Sequence, residues 1–134
     1  MEKHNLPKSL KHKPLISVDY YQKDIDNIGA GDAQYLSLGY AQWDDNRRDV
    51  SAKIFRRNNS DSRWSRQAEE LPISRVLDLA IFIIDTYKGT NTTETYFGSS
   101  IKNKDKENMI ARYFQHNRQL LDTQLDVIRQ LLNR

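Results

Sequence analysis

The sequence predicts an α+β fold: an antiparallel β-meander of three to four strands packed on a buried central helix, followed by a C-terminal helical segment. Three observations predict it. Residues 35–43 and 49–57 alternate in the period of a pleated strand. From Val76 to Ile84 every residue except Asp78 is apolar. From Met109 to Leu132 apolar residues recur at spacings of three and four.

The chain of 134 residues fits one domain, 1–134. Residues 1–13 form a basic arm with four Lys and one Glu and no periodicity, expected to be a solvated terminus. Residues 15–21, LISVDYY, are β-branched and aromatic and supply an N-terminal strand or an extended packing segment. Residues 23–32, KDIDNIGAGD, form a loop. Its Asp24, Asp26 and Asp32 invite a calcium reading, but Ile28 stands at the fifth position of the loop pattern and Tyr35 at the twelfth, so the match fails. Gly29 and Gly31 suggest half a phosphate loop, yet no GK[ST] follows.

The first long strand places Leu36, Leu38 and Tyr40 on one side and Tyr35, Ser37, Gly39, Ala41 and Trp43 on the other. DDNRR is a turn. The next strand places Val50, Ala52 and Ile54 against Lys53, Phe55 and Arg57. NNSDS is a second turn, and residues 63–70 form a weaker third strand. Such short connections favour antiparallel pairing. The central helix is expected to cover the face carrying Leu36, Leu38, Val50, Ala52 and Ile54.

Pro72 suits the first helical position, where a missing N–H costs nothing, and Gly89 suits a left-handed closing residue. A helix with so narrow a polar stripe (Arg75, Asp78, Phe82, Asp85) is expected to be buried on most sides. It is too short to span a membrane. Tyr96 and Phe97 sit in a polar loop and are expected to tuck onto the core. Residues 105–133 are one long helix or a pair broken within QHNR, residues 115–118. Its Leu-rich stripe either completes the protein's own core or meets a second copy.

Net charge is +3, unevenly spread: +3 over residues 1–13, −5 over 14–46 and +5 over 47–66. Adjacent basic and acidic segments can neutralise one another, so the overall balance does not argue for nucleic acid. There are no cysteines, which excludes disulfides, zinc–thiolate sites and cysteine nucleophiles. No signal peptide is legible in MEKHNLPKSLKHKP, so a cytoplasmic location is expected.

Residues 12–22, 32–44, 49–56 and 63–83 (HKPLISVDYYQ, DAQYLSLGYAQWD, DVSAKIFR and RWSRQAEELPISRVLDLAIFI) resemble a family of small, uncharacterised bacterial proteins, a domain of unknown function, over residues 12–88. The resemblance implies a bacterial cytosolic protein and no established activity, so it assigns no catalytic residues.

No catalytic, metal or cofactor motif is present. His4, His12 and His116 stand far apart and in no metal-ligand spacing, and no G-x-S-x-G turn presents a serine. The candidate binding residues are Tyr40, Gln42, Trp43, Arg63, Trp64, Arg66 and Glu69, since Trp, Tyr and Arg dominate recognition surfaces. If Tyr35, Trp43, Phe55, Trp64 and Arg66 share one open face, that face is aromatic and basic together. If another segment covers it, the two Trp are core.

Protein recognition leads: a small adaptor, antitoxin-like or immunity-like module using this face or the C-terminal helix, with a protein partner or a homodimer and no membrane. Single-stranded nucleic acid is the alternative, because stacking aromatics beside arginines suit it, although the element order is not that of an RRM. The second alternative is an enzyme acting on a small anionic ligand. Arg63 or Arg66 would clamp the anion, and Glu69 or Glu70 would serve as acid or base.

Overall fold

The computed structural model describes residues 11–57, 63–65, 69–89, 94–99 and 108–134. Arg66, the NNSDS turn, most of the basic arm and parts of the 90–107 loop lie outside the described residues. The elements are β1 (Lys13–Asp19), β2 (Ala33–Tyr40), β3 (Val50–Arg56), β4 (Glu70–Pro72), α1 (Ile73–Lys88), β5 (Glu94–Thr95), β6 (Gly98–Ser99), α2 (Asn108–His116) and α3 (Arg118–Leu132). The architecture is α+β, as expected. The chain forms two compact units, Met1–Leu79 and Ala80–Arg134, with the boundary inside α1.

In the first unit β1-β2-β3-β4 form one antiparallel sheet in sequence order. β2 and β3 alternate as expected, and their register pairs Tyr35 with Phe55, Ser37 with Lys53 and Leu38 with Ala52. The expected third strand is shorter and later. Trp64 makes a single bridge to Arg57, and the paired strand begins at Glu70. Pro72 therefore ends β4 opposite Ser51 instead of opening the helix. An edge strand accepts proline because its outward N–H would have no partner.

The turn between β2 and β3 is organised by Asp44, whose carboxylate accepts the backbone N–H groups of Asn46, Arg48 and Asp49. This is the local side-chain bonding that makes Asp a turn residue. Arg47 takes a φ of 56° there. In the preceding loop Asp24 makes the same kind of local turn bond, accepting the N–H groups of Asp26 and Asn27.

The two sheet faces are the reverse of what hydropathy suggests. Tyr35, Ser37, Ser51, Phe55 and Glu70 on one face are enclosed, none of these five more than 6% exposed, while Ser17 and Lys53 on the same face are half-buried. On the other face Ile16, Val18, Leu38, Ile54 and Leu71 are 38–66% exposed, and Leu36, Val50 and Ala52 are half-buried. No residue of α1 is buried either. The expected burial of the central helix, and its cover over Leu36, Leu38, Val50, Ala52 and Ile54, is thus corrected: Leu77 is 59% exposed and Phe82 47%. The helix follows β4 with no connecting residue, whereas strand-to-helix connections usually take two to six.

Gly89 closes α1 by donating its N–H to the Asp85 carbonyl, without the left-handed backbone expected of it. In the second unit Asp85 also accepts the Tyr96 N–H at 2.7 Å. Tyr96 and Phe97 form the turn of the β5–β6 hairpin, with Gly98 at φ 107°. Their rings meet edge to face at 5.1 Å but stay 76% and 52% exposed, so they do not tuck into a core. The C-terminal segment is two helices. The break falls at Asn117, inside the QHNR stretch, where Asn117 donates both its N–H and its side-chain amide to the Tyr113 carbonyl. An asparagine that bonds its own backbone competes with helix continuation. Among the described residues no helix is long and apolar enough to cross a membrane.

Gly39 shows how tightly β1 is seated. A Cβ there would strike the Lys13 backbone carbonyl and lie 2.9 Å from His12 Nε2. Because a backbone group cannot step aside as a flexible side chain can, Gly39→Ala should cost at least about 1–3 kcal/mol in urea unfolding. A wild-type midpoint would refute this seating of β1.

Candidate functional site

The enclosed sheet face is built around His12. Its Nδ1–H donates to Glu70 Oε1 at 3.0 Å, and Ser37 Oγ lies 2.9 Å from Nε2, placed to donate to it. Ser51 Oγ sits 2.9 Å from Nδ1 and donates to Glu70 Oε1 at 2.6 Å. The same oxygen accepts the backbone N–H of Gln42 at 3.0 Å. The imidazole edge packs on Phe55, with ring centroids 5.8 Å apart. One side chain thus ties the segment before β1 to β2, β3 and β4. Glu70 Oε2 is enclosed without a hydrogen-bond partner among the described residues.

Burial holds the His12 imidazole below its ordinary pKa of 6.5; hydrogen bonding and the charge of Glu70 oppose this, and the charge of Lys53 adds to it. The neutral ring fits the bonding pattern, with one nitrogen donating and the other accepting. Ser37, His12 and Glu70 also follow the order of a nucleophile, a base and an orienting carboxylate. Yet Ser37 is 4% exposed and His12 1%. A carbonyl must come within about 3 Å of the nucleophile to react, and the enclosed Ser37 hydroxyl offers no such approach. The geometry makes the cluster a structural tie.

Beside it lies an aromatic cluster. Trp64 contacts Tyr35 at 6.0 Å and Phe55 at 5.9 Å between ring centroids, and the Arg57 guanidinium lies 4.8 Å above the indole. Tyr35 is 0% exposed and Phe55 2%. The residues weighed as one aromatic–arginine face, open or covered, are therefore divided. Trp64 is half-buried in this cluster. Trp43 lies in the β2–β3 turn, 45% exposed, and its indole N–H donates to Asp49 at 2.7 Å. Tyr40 carries the Arg47 guanidinium 5.4 Å from its ring centroid. Gln42 meets Glu70 through its backbone. Glu69 is ion-paired with Arg56, which also binds Asp32 through Nε and Nη2 at 3.0 and 2.8 Å. This pairing holds the Asp32 carboxyl below its usual range, the Arg56 hydrogen bond being the main cause. Arg63 is exposed, and Arg66 lies outside the described residues.

His12, Ser37 and Ser51 were not legible as a site. His12 sits among lysines in an arm that reads as solvated. The two serines fall on the face of Tyr35 and Phe55 by alternation, and with Gly39 they leave room for a ring. That small-residue gap is the only sequence signal of the cluster.

The second unit carries a groove between Ala80–Lys88 of α1 and α3. It encloses about 220 Å³ and is lined by Ala80, Ile83, Ile84, Leu121, Leu125 and Ile128. At its end the Tyr87 hydroxyl donates to Asp122 at 2.7 Å, with Lys88 Nζ 3.9 Å from the same carboxylate. The Asp122 bond, joined by burial, raises the pKa of the Tyr87 hydroxyl.

A family model described as a family of unknown function, DUF6530, matches residues 4–112. The chain belongs to that family. The match reaches beyond the 12–88 stretch of the sequence resemblance and takes in most of α2. No curated protein and no solved structure matches the chain.

Two expectations follow. The unfolded chain protonates its histidine more readily than the folded one, so the stability held by neutral His12 is full above about pH 6.5 and is lost as pH falls below it. Urea midpoints should drop between pH 7 and pH 5, and His12→Asn should flatten that slope while costing about 1–3 kcal/mol at pH 7. Unchanged slopes would place His12 outside the enclosed face. Iodide should quench Trp43 strongly and Trp64 weakly, and Trp43→Phe should abolish the iodide-sensitive emission. A single quenching class that survives this substitution would contradict the placement of both residues.

Proposed function

We propose that this protein is a cytosolic protein-recognition module, and that its C-terminal unit reads an amphipathic helix of a protein partner. The observation that carries the reading is the apolar groove between α1 and α3. Along α3 the residues Leu121, Leu125, Ile128 and Leu132 follow spacings of four, three and four. This is the seam that packs against another helix. Ile128 is 40% exposed and Leu132 80%, so the seam is only partly used. Helix-in-groove binding takes its affinity from such a stripe. The absence of cysteine from the sequence fits a reducing compartment.

The alternatives have less support. Single-stranded nucleic acid needs open stacking rings, and Tyr35 and Phe55 are enclosed. The anion-clamp enzyme needs Glu69 or Glu70 as acid or base; Glu69 is engaged by Arg56, and Glu70 is enclosed against His12 and Ser51.

A photo-crosslinking residue at Gln124, in the groove, should give an adduct with a distinct protein in cells, and Ile128→Asp in the same chain should remove it. Adducts that persist with Ile128→Asp, or none at all, would refute the reading.

A further inference from the structure

We propose that two copies of this chain exchange helices: the N-terminal half of α1 of one copy covers the open apolar face of the other copy's sheet, and the reverse. Four observations point there. First, Ile16, Val18, Leu38, Ile54 and Leu71 on one sheet face are 38–66% exposed, while Tyr35, Ser37, Ser51, Phe55 and Glu70 on the more polar face are enclosed. A four-stranded sheet is stable in water when its apolar side is covered. Second, Ile73, Val76 and Leu77 of α1 are 37–59% exposed. They fall on one stripe with Ala80 and Ile84, at i, i+3, i+4, i+7 and i+11. The later part of that stripe lines the groove with α3, and the earlier part stays more than a third exposed.

Third, the chain passes from Pro72 in β4 to Ile73 in α1 without an intervening residue. A chain cannot reverse direction over no residues, so α1 cannot lie back over the sheet that it leaves. A second copy supplies the same helix from outside, which is the logic of domain swapping. Fourth, the size fits. The eight named residues of the sheet face and α1 expose roughly 700 Å² per copy, close to the ~800 Å² that each partner contributes to a standard interface. The polar stripe of Arg75, Asp78 and Asp85 lies on the other side of α1 from Ile73 and Leu77 and stays in water.

The test is sedimentation equilibrium on the full chain, whose subunit mass is 15.8 kDa. The wild type should sediment at twice that mass. Leu38→Asp damages the sheet face alone, and Leu77→Asp damages the helix alone. Each should be a folded monomer by circular dichroism. Mixed in equal amounts they should recover a dimer, because the intact sheet of one accepts the intact helix of the other. Ile16→Asp, at a more exposed position, replaces Leu38→Asp if that variant does not fold. A monomeric wild type overturns the proposal and means that the face is closed within one chain. A dimer that survives Leu77→Asp but not the sheet variant also overturns it, in favour of sheet-to-sheet pairing. Ile128→Asp should leave the dimer intact, so failure of the groove reading and failure of helix exchange are separately visible.

Discussion

Glu70 Oε1 accepts three hydrogen bonds inside the sheet: from His12, from Ser51 and from the backbone of Gln42. The rest of the first unit depends on this oxygen. An enclosed carboxylate is costly unless its lone pairs are filled, and an enclosed imidazole is costly unless both nitrogens are. Here Oε1 and both imidazole nitrogens are filled, while Oε2 has no hydrogen-bond partner among the described residues. Strand β1 is held in register partly by that exchange, and Gly39 is required because His12 and the Lys13 carbonyl occupy the space a side chain would need.

That arrangement also decides which side of the sheet faces outward. With His12, Phe55, Tyr35 and Trp64 filling one side, the side carrying Ile16, Leu38 and Ile54 is left open. A polar interior gives specificity of register, since each bond has one geometry, while the apolar side gives adhesion without direction. The protein thus keeps its directional contacts inside and presents its non-directional surface. The same contrast holds in the second unit, where Tyr87, Asp122 and Lys88 fix one end of a groove whose remaining lining is aliphatic.

Much of the element order was legible. The strands 33–40 and 50–56 follow from alternation, α1 from its apolar run, and the break at Asn117 from the polar QHNR interruption. Pro72 was misplaced by one element because a proline suits both a helix start and an edge strand. Tyr96 and Phe97 were misplaced because large rings are usually buried, whereas a two-residue hairpin turn holds them outward. The site was far less legible. Trp43 and Trp64 are close in the sequence pattern but belong to a turn and to a ring cluster respectively.

What the sequence determined by itself is local: which residues share a face, where helices run, and which segments turn. These follow from periods of two and 3.6 residues and from the backbone preferences of Gly, Pro, Asp and Asn. The tertiary structure alone decided which face is inside. Alternation is symmetric and does not distinguish the two sides of a strand. The choice was made by His12 meeting Ser37, Ser51 and Glu70, bonds that cross 25, 39 and 58 residues of chain. No pattern within one segment encodes such a meeting, because its free energy exists only once four separate stretches have been brought to the same place.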